Sequence, residues 1–597
     1  MTLLDSSALH ELDRELDLEA APPAAAPAPR LVVENLRVSF RTPHGERPVV
    51  RGLSFSLGAG ECVAIVGESG SGKSVSARSL VGLTGRGGVV RVDRLEILGA
   101  DARALRARGW RRLRGRHVGF VLQDALTSLD PLRAVGRELD EALRLHGRAP
   151  RAERRRRAVE LLHRVGVPRP EERARLRPDE LSGGLRQRAL IATAIAHDPE
   201  IVIADEPTTA LDATVQAHVL AELDAMRSRG TAVILISHDL SVVARLADRI
   251  VVMRGGEVVE SGPAARLLGS PEHPYTRRLV AAVPGLETRG RALGPDGTEA
   301  PCAPSPAAAP ADPAADRRVV LEARGLVKSF AVRGAARGAA GAPAASPRRA
   351  VDDVSFALRA GETLGIVGES GSGKSTTARL ALGLAEPDEG EVTVLGAPWS
   401  RVPEARRRPL RPRLAVVAQD PLSTFDPRWT VGRILADALP RAIRRDSAAR
   451  EAAVHRLLAD VGLPAADVLA RFPLTLSGGQ RQRVAIARAL ASEPAVIVLD
   501  EAVSALDVTI QAQILDLLGA LQRERGLAYL FISHDLGVIG HVSDRVLVMQ
   551  HGQVVEQGPT ERVLRAPEHP YTQELVASIL PSPRPSIPPL PGRKDPS

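Results

Sequence analysis

The stretch that decides the fold is Gly67-Glu68-Ser69-Gly70-Ser71-Gly72-Lys73-Ser74. It follows an apolar run, residues 62–66, that predicts a buried strand, and it precedes a helix-compatible stretch, Val75–Leu83. A strand, a glycine-rich loop and a helix start form a cradle for nucleotide phosphates, because the glycines let successive N–H groups converge on phosphate oxygens. We expect Lys73 to reach the β- and γ-phosphates and the Ser74 hydroxyl to bind Mg²⁺.

An identical stretch occurs later in the chain, as Gly368-Glu369-Ser370-Gly371-Ser372-Gly373-Lys374-Ser375. Other short motifs are also repeated, in the same order. They are Leu-Ser-Gly-Gly at 181–184 and 476–479, an apolar run ending in Asp-Glu at 201–206 and 496–501, and Ile-Ser-His-Asp at 236–239 and 532–535. Because both the order and the spacing are shared, the two halves of the chain are interpreted as copies of one unit.

The repeat predicts two folded units that are joined and flanked by segments rich in proline and alanine. The predicted organisation is a flexible leader over 1–30, a first unit over 31–285, a linker over 286–316, a second unit over 317–580 and a Pro-rich tail over 581–597. The second unit carries an additional Ala/Gly/Pro-rich insert, about 332–348, which we expect to be a surface loop.

The composition indicates a folded protein without a membrane-spanning segment. The 597 residues are 44% apolar, which is enough to build cores. No apolar run approaches the roughly 20 residues that cross a bilayer, and the acidic N-terminal residues do not resemble a signal peptide. We therefore expect a cytoplasmic protein with at most a peripheral role at the membrane. Cys62 and Cys302 predict neither a disulfide framework nor a metal cluster.

The net charge of +9 comes from arginine, because the chain has only four lysines, Lys73, Lys328, Lys374 and Lys594. Two of these lie in the glycine-rich stretches, where a compact charge on a flexible stem suits phosphate binding. The arginine-rich runs are interpreted as solvated helix faces. The charge therefore does not indicate a nucleic-acid partner.

Each half places two carboxylates at the end of an apolar run, Asp205-Glu206 and Asp500-Glu501. A buried strand that ends in Asp-Glu directs carboxylates towards a neighbouring phosphate loop. Asp205 and Asp500 suit Mg²⁺ coordination, and the glutamates are expected to orient the attacking water.

A glutamine and a histidine also follow apolar runs in each half. Gln123 and Gln419 carry a neutral amide that can bind Mg²⁺ or water. His238 and His534 can hydrogen-bond a γ-phosphate and respond to its loss. Their duplication in register favours a functional role over a structural one.

In each half, Ser-Gly-Gly precedes a helical stretch that carries basic residues, Leu185–Ala196 in the first and Gln480–Leu490 in the second. A helix N-terminus offers N–H groups and a partial positive charge to an anion. Since each half already has a phosphate loop, we expect this second anion site to serve the nucleotide of the other half.

With these motifs in this order, residues 31–285 and 317–580 resemble the nucleotide-binding domains of ABC transporters. The resemblance implies an α/β fold with two P-loop NTPase domains, each with a mixed sheet core, an antiparallel β subdomain and an α-helical signature subdomain. It also implies a head-to-tail sandwich of the two halves, in which each ATP lies between the phosphate loop of one half and the signature of the other.

The resemblance assigns the site residues. The first composite site would contain Lys73, Asp205, Glu206 and His238 together with Ser477, Gly478, Gly479 and Gln480. The second would contain Lys374, Asp500, Glu501 and His534 together with Ser182, Gly183, Gly184 and Leu185. Mg²⁺ would be bound by Ser74, Gln123, Asp205, Ser375, Gln419 and Asp500. The catalytic residues would be Glu206, His238, Glu501 and His534, and the aromatic residues that stack on adenine would be Phe40 and Phe330.

A narrower resemblance follows from Glu-His-Pro-Tyr-Thr, residues 272–276 and 568–572. It is similar to a segment of the dipeptide, oligopeptide and nickel importer subfamily, whose D-type and F-type ATPase subunits the two halves resemble. Two residues depart from the pattern: Leu185 replaces the signature glutamine, and Ala502 replaces the proline that follows the Asp-Glu pair. Neither change removes a phosphate donor or a carboxylate.

The resemblance implies an ATPase that uses ATP and Mg²⁺ to energise import of a peptide or a related solute. Its partners would be two integral-membrane permease subunits and an extracytoplasmic solute-binding protein, without nucleic acid. The chain would lie on the cytoplasmic face of the cell membrane. The alternative is a soluble tandem ATPase that acts on the ribosome or DNA. That class joins its halves by a charged helical arm, which the Pro/Ala-rich linker does not resemble.

Overall fold

The computed structural model describes residues 28–122, 128–208, 211, 213–294, 317–330, 348–504 and 506–578. Within these ranges the chain forms two compact units. The first contains residues 28–208 and 218–276, and the second contains residues 211–217 and 277–578. Most of the predicted leader, linker, insert and tail lies outside the described residues.

The first unit contains two sheets. Its strands are β1 (Leu31–Thr42), β2 (Gly45–Leu57), β3 (Cys62–Val66), β4 (Gly88–Arg91), β5 (Arg94–Ile97), β6 (Ala100–Asp101), β7 (Val118–Val121), β8 (Ile201–Asp205), β9 (Ala232–Ile236), β10 (Arg249–Arg254) and β11 (Glu257–Pro263). One sheet is antiparallel, in the order β2-β1-β5-β6 with β4 paired to β1. The other has the order β11-β10-β3-β9-β8-β7 and is parallel except at β11.

The helices of the first half follow these strands in chain order. They are Lys73–Leu80, Ala107–Arg112, Val135–His146, Arg151–Arg164, Pro170–Arg173, Gly183–Ala194, Ala213–Ser228, Leu240–Leu246, Ala264–Gly269 and Pro274–Ala281, with short 3₁₀ turns at Ala102–Ala104 and Pro178–Glu180 and a π turn at Leu113–His117. The helix Gly183–Ala194 contacts both Val135–His146 and Arg151–Arg164. This cluster is the helical subdomain that the sequence predicts.

The parallel sheet positions the predicted site. Every residue of β3, β8 and β9 is buried, as expected for strands covered on both faces. The predicted strand 62–66 is confirmed as β3, and the apolar run that precedes His238 forms β9. Because β3, β9 and β8 are parallel neighbours, their carboxyl ends lie at one edge of the sheet, where ligands bind in open α/β folds.

The helix after the first phosphate loop begins at Lys73 rather than at the predicted Val75, and it ends at Leu80. The last two residues of the loop motif therefore form the first helical turn. Gly72 adopts a left-handed conformation, with φ of 97°, immediately before it. Lys73 and Ser74 are thus held by helical geometry rather than by a free loop.

The second unit repeats this architecture. Its strands are β12 (Val319–Phe330), β13 (Arg348–Arg359), β14 (Thr363–Val367), β15 (Glu389–Val394), β16 (Ala397–Pro398), β17 (Leu414–Val417), β18 (Val496–Asp500), β19 (Ala528–Ile532), β20 (Arg545–Gln550) and β21 (Gln553–Pro559). The antiparallel sheet has the order β13-β12-β15-β16, and the mixed sheet has the order β17-β18-β19-β14-β20-β21. The sheet order around the phosphate loop is the same as in the first unit.

The helices of the second half are Lys374–Ala381, Glu404–Arg407, Val431–Ala438, Arg441–Arg445, Ser447–Asp460, Ala465–Val468, Gly478–Leu490, Val508–Arg525, Leu536–Val542, Thr560–Arg565 and Pro570–Ala577. Short 3₁₀ turns lie at Leu286–Thr288, Arg411–Arg413, Pro421–Thr424 and Pro473–Thr475. Among the residues that the structure describes, no helix has both the length and the apolar composition to cross a bilayer.

Residues 277–294 belong to the second unit, although they precede it in the sequence. Thr288 is buried, and its hydroxyl lies 2.9 Å from Nδ1 of His541. The backbone N–H of Leu293, which is also buried, donates to the Asp516 carboxylate at 2.9 Å. The start of the segment predicted as a linker is therefore packed, whereas its remainder, 295–316, lies outside the described residues.

Candidate functional site

The phosphate loops approach the neighbouring strand so closely that their first residue must be glycine. A Cβ atom added to Gly67 would lie 2.1 Å from the carbonyl oxygen of Met253, and the φ of Gly67 is +149°. A Cβ atom added to Gly368 would likewise lie 2.1 Å from the carbonyl oxygen of Met549, and the φ of Gly368 is +146°. Any other residue would push the loop off the sheet edge.

The two loop lysines are buried and point back over their own loops. Nζ of Lys73 donates to the carbonyl oxygens of Gly67 and Glu68, at 2.6 and 2.8 Å. Nζ of Lys374 donates to the corresponding carbonyl oxygens in the second half, both at 2.7 Å. A positive charge therefore lies inside each loop, where the sequence predicts the phosphates.

The loop serine and the strand aspartate meet as predicted. Oγ of Ser74 donates to Oδ1 of Asp205 at 2.9 Å, and Oγ of Ser375 donates to Oδ1 of Asp500 at 3.3 Å. Oδ2 of Asp205 is buried and has no hydrogen-bond partner among the described residues. Burial is the largest influence on the pKa of Asp205 and raises it. The hydrogen bond from Ser74 lowers this pKa and the charge of Glu206 raises it, and it lies above its usual value.

A hydroxyl and a carboxylate with an unused oxygen are the donor set that Mg²⁺ takes in nucleotide sites. The residues of the first half thus fit this ion. In the second half the pKa of Asp500 is also raised, by burial and then by the adjacent Glu501. A cation bound to these aspartates would offset the cost of their buried charge.

Glu206 pairs with His238 in the first half, with His238 Nδ1 at 3.3 Å from Glu206 Oε1. Burial lowers the pKa of His238, but the hydrogen bond and the charge of Glu206 outweigh it, so the pKa lies above its usual value. Glu206 adopts a left-handed conformation with φ of 50°. A non-glycine residue held in this region costs free energy and is typical of functional sites.

Glu501 has the same conformation, with φ of 49°, and two side chains contact it. His534 Nδ1 lies 3.5 Å from Oε1, and Nε2 of Gln419 donates to Oε2 at 2.6 Å. The hydrogen bond from His534 lowers the pKa of Glu501. The structure therefore brings together three residues that the sequence predicts for this site. Gln123, the counterpart of Gln419, lies outside the described residues.

The two signature serines each cap a helix. Ser182 precedes the helix Gly183–Ala194 and accepts a hydrogen bond from the N–H of Leu185 at 3.4 Å. Ser477 precedes Gly478–Leu490 and accepts from the N–H of Gln480 at 3.2 Å. The Gln480 amide oxygen in turn accepts from the N–H of Ser477 at 3.1 Å. Each helix N-terminus thus has the form of an anion site, and only the second has a reciprocal cap.

The two aromatic residues proposed for adenine differ in exposure. Phe40 pairs with Arg47 across the β1–β2 hairpin and packs against the core of the first unit. The carbonyl oxygen of Val49, further along β2, would lie 2.9 Å from a Cβ on Gly72, so this hairpin adjoins the phosphate loop. Phe330 ends β12 and is 49% exposed. The adenine role of both residues stays a prediction.

Sequence reasoning did not assign Tyr275 or Tyr571 to the site. The Tyr275 hydroxyl accepts a hydrogen bond from the N–H of Glu68 at 3.0 Å. The Tyr571 hydroxyl accepts from the N–H of Glu369, also at 3.0 Å. The duplicated His-Pro-Tyr-Thr segment was the signal that could have pointed to them.

Two repeated domains, each with a phosphate loop, an Asp-Glu strand end and a capped signature helix, define a tandem nucleotide-binding ATPase. Residues 50–209 and 351–504 match the family model described as ABC transporter. Residues 259–309 and 555–595 match the model described as Oligopeptide/dipeptide transporter, C-terminal region. The chain belongs to the ABC transporter family. Its nucleotide-binding domains bind and hydrolyse ATP, and the predicted α/β fold with two P-loop NTPase domains is confirmed.

The chain is similar along most of its length to two named relatives. It is 43% identical to the oligopeptide transport ATP-binding protein OppD of Mycobacterium tuberculosis, covering 94% of this chain and 99% of the relative. It is 42% identical to the glutathione import ATP-binding protein GsiA of Escherichia coli K12, covering 92% and 89% respectively. The predicted resemblance to importer ATPases with two fused domains is confirmed.

A solved structure with a similar tandem fold contains the archaeal ribosome recycling factor aABCE1 in complex with the ribosomal stalk protein aP1. It shares 22% identity with this chain, with a TM-score of 0.56, and covers 86% of this chain and 88% of its own. At that identity the likeness shows the fold alone. The alternative of a ribosome- or DNA-directed ATPase is therefore not favoured.

Proposed function

We propose that this chain is the ATP-hydrolysing subunit of an importer for peptides or a related small solute. The candidate solutes are a dipeptide, an oligopeptide, glutathione, an opine or nickel. The observation that carries the proposal is the transporter-specific C-terminal region, which follows the nucleotide core in both halves. The relatives with 42–43% identity are named for oligopeptide transport and glutathione import.

The domains of the proposed importer subunit are 31–285 and 317–580. Within each, the phosphate loop and its lysine bind the phosphates of ATP. Ser74 and Asp205 would hold Mg²⁺ in the first half, and Ser375 and Asp500 in the second. When bound there, the ion neutralises charge on the phosphate oxygens.

The two glutamates position the water that attacks the γ-phosphate. Each lies directly after the strand aspartate, and each has a histidine on one carboxylate oxygen. The histidine orients the carboxylate and can pass a change at the phosphate to the helix that follows it. Gln419 donates to the other oxygen of Glu501, so both oxygens of that carboxylate have a side-chain neighbour.

We further propose that each ATP is shared between the two halves. The phosphate loop of one half would face the signature serine of the other, because a capped helix N-terminus is suited to an anion. The duplication supports this pairing, because each half carries both a phosphate loop and a signature helix and thus has one more anion site than its own nucleotide needs.

The partners of the proposed importer are two integral-membrane permease subunits and a solute-binding protein outside the cytoplasm. The chain would work as a peripheral protein on the cytoplasmic face of the cell membrane. ATP binding would close the two halves and hydrolysis would reopen them, and this cycle would move the permeases.

Reconstitution tests the proposal. The chain is combined in proteoliposomes with the permease and solute-binding subunits encoded beside its gene, and ATP-dependent uptake of labelled dipeptide, oligopeptide, glutathione, opine and nickel is measured. We expect uptake of at least one solute with the wild type and none with Glu206→Gln/Glu501→Gln. No uptake of any of them, together with ATP-dependent co-sedimentation with ribosomes, would contradict the proposal.

A further inference from the structure

The Glu-His-Pro-Tyr-Thr segment is present in both halves, at 272–276 and 568–572, and neither phosphate binding nor catalysis as described uses it. It lies more than 200 residues after the phosphate loop of its own half, since 207 positions separate Glu68 from Tyr275. The structure nevertheless brings the segment to the loop.

In the first half, the approach of the segment is fixed by a carboxylate on the preceding strand. The Glu260 side chain on β11 accepts hydrogen bonds from the N–H groups of Glu272 and His273, at 3.0 and 3.1 Å. Nδ1 of His273 then accepts from the N–H of Tyr275 at 3.1 Å, so the histidine caps the helix Pro274–Ala281. Pro274 occupies the first helical position, which its ring favours.

These constraints direct Tyr275 at the phosphate loop. Its side chain is 2% exposed, and Arg254 lies over the ring with Cζ 5.2 Å from the centroid. The hydroxyl accepts the N–H of Glu68 at 3.0 Å, while the carbonyl of Glu68 accepts from Lys73 at 2.8 Å. The second residue of the loop is therefore held at its N–H by the tyrosine and at its C=O by the loop lysine.

The second half repeats the hydrogen bonds of this arrangement. Glu556 accepts from the N–H groups of Glu568 and His569, both at 3.0 Å. Nδ1 of His569 caps the helix at the N–H of Tyr571, at 3.2 Å. The Tyr571 hydroxyl accepts the N–H of Glu369 at 3.0 Å, and its side chain is 5% exposed. The two halves differ elsewhere, for instance at Arg254 and its counterpart Gln550. Both keep the hydrogen bond between the loop N–H and the tyrosine hydroxyl.

We propose that Tyr275 and Tyr571 are positioning residues for ATP binding, each holding the phosphate loop of its half in the shape that receives the phosphates. The inference rests on the proposed role of these loops as the ATP sites. Without the phenolic oxygen, the loop N–H loses this acceptor, at a position that is partly buried. The loop then occupies the binding shape for a smaller fraction of the time, and ATP affinity falls by that fraction.

The test compares Tyr275→Phe/Tyr571→Phe with the unchanged protein, because phenylalanine keeps the ring and removes only the oxygen. Equilibrium ATP binding is measured in the Glu206→Gln/Glu501→Gln background, where hydrolysis is blocked, and steady-state hydrolysis is measured with the native glutamates. We expect the Kd and KM for ATP to rise about five- to tenfold. We expect kcat at saturating ATP to stay within about twofold, since ATP itself reorders the loop.

The third tyrosine of the chain provides a matched control. The Tyr529 side chain is buried, and its hydroxyl donates to the carbonyl oxygen of Leu518 at 3.0 Å, away from the loops. Tyr529→Phe thus removes one buried tyrosine hydrogen bond without touching a phosphate loop. We expect its ATP Kd to equal that of the unchanged protein, whatever its melting temperature.

Two outcomes would overturn the inference: an unchanged ATP Kd in the double variant, or an equal rise in the double variant and in Tyr529→Phe. A double variant with a lower melting temperature but an unchanged ATP Kd also overturns the inference. The phosphate-loop assignment fails separately. If Lys73→Ala/Lys374→Ala still binds ATP with the affinity of the unchanged protein, then the loops are not the ATP sites.

Discussion

The phosphate-binding regions of the two halves are close copies, whereas their signature regions differ. Each loop lysine donates to the carbonyl oxygens of the first two residues of its own loop, at 2.6–2.8 Å in the first half and 2.7 Å in the second. Both strand-end glutamates, Glu206 and Glu501, have φ near 50°. In the signatures, by contrast, Gln480 caps Ser477 reciprocally, and the first half has the buried apolar Leu185 instead.

This comparison shows which features phosphate binding requires in both halves and which features of the signature can vary between them. A phosphate loop works only if its backbone N–H groups and its lysine keep their positions, so both copies retain them. A signature helix offers its N-terminal N–H groups whatever side chain follows the second glycine. The serine cap is kept in both halves, and the reciprocal glutamine bond is not. We expect both sites to bind ATP and to differ in how firmly the signature is held.

The largest effect is expected when Glu206 and Glu501, a feature that the two halves share, are both replaced. Glu206→Gln/Glu501→Gln should reduce ATP turnover by about 10²–10³-fold, because the amide no longer positions and polarises the attacking water. ATP affinity should be unchanged within about twofold, since neither carboxylate holds the phosphates. Steady-state phosphate release and equilibrium ATP binding provide the two measurements.

A glutamate–histidine pair outside the site serves as the control for this variant. Glu200 lies 3.2 Å from Nδ1 of His117, so Glu200→Gln makes the same chemical change. Its turnover should match the wild type. Equal losses in Glu200→Gln and in the double variant would show that the fall is structural.

A smaller effect is expected when the difference between the signatures is removed. Gln480→Leu deletes the hydrogen bond to the N–H of Ser477 and gives the second half the residue found in the first. Loss of a helix cap of this kind should lower ATPase activity about three- to tenfold. The activity at saturating ATP, measured beside the melting temperature, separates this effect from unfolding.

The smallest effect is expected for the reciprocal change, Leu185→Gln. The new amide can reach the N–H of Ser182, but Leu185 is already buried and Ser182 already caps the helix. Activity should therefore change by no more than about twofold. A gain as large as the loss in Gln480→Leu would mean that the first half is limited by its missing glutamine.

The sequence was sufficient for the elements of the site that are local. The strand before each phosphate loop and the strands before His238 and His534 are short, predominantly apolar runs. Their length and the glycine or polar residues that follow them are typical of buried strands. The pairing of Ser74 with Asp205 also followed from the motif order, because parallel strands end at one edge of the sheet.

The remaining features depend on contacts that no local pattern encodes. Glu206 and Glu501 have a left-handed backbone directly after a strand, a conformation that glutamate as a residue type does not favour. The contact between Tyr275 and Glu68 requires the chain to return to the loop after 207 residues. In the sequence, only the duplication of the His-Pro-Tyr-Thr segment indicated that these tyrosines have a role. Duplication does not predict which residues they contact.

The central claim is that each ATP is shared between a phosphate loop of one half and the signature of the other. It is tested most directly by counting retained ATP per chain in two double-lesion variants, both made in the Glu206→Gln/Glu501→Gln background. Lys73→Ala with Ser477→Arg places both lesions in one proposed site, and Lys73→Ala with Ser182→Arg places one lesion in each.

Radiolabelled ATP that stays with the protein after rapid desalting gives the count, and the background without lesions should retain two molecules per chain. We expect one molecule with Lys73→Ala and Ser477→Arg, and none with Lys73→Ala and Ser182→Arg. The reverse result, none for the first pair and one for the second, would show that each half uses its own signature and would contradict the shared sites.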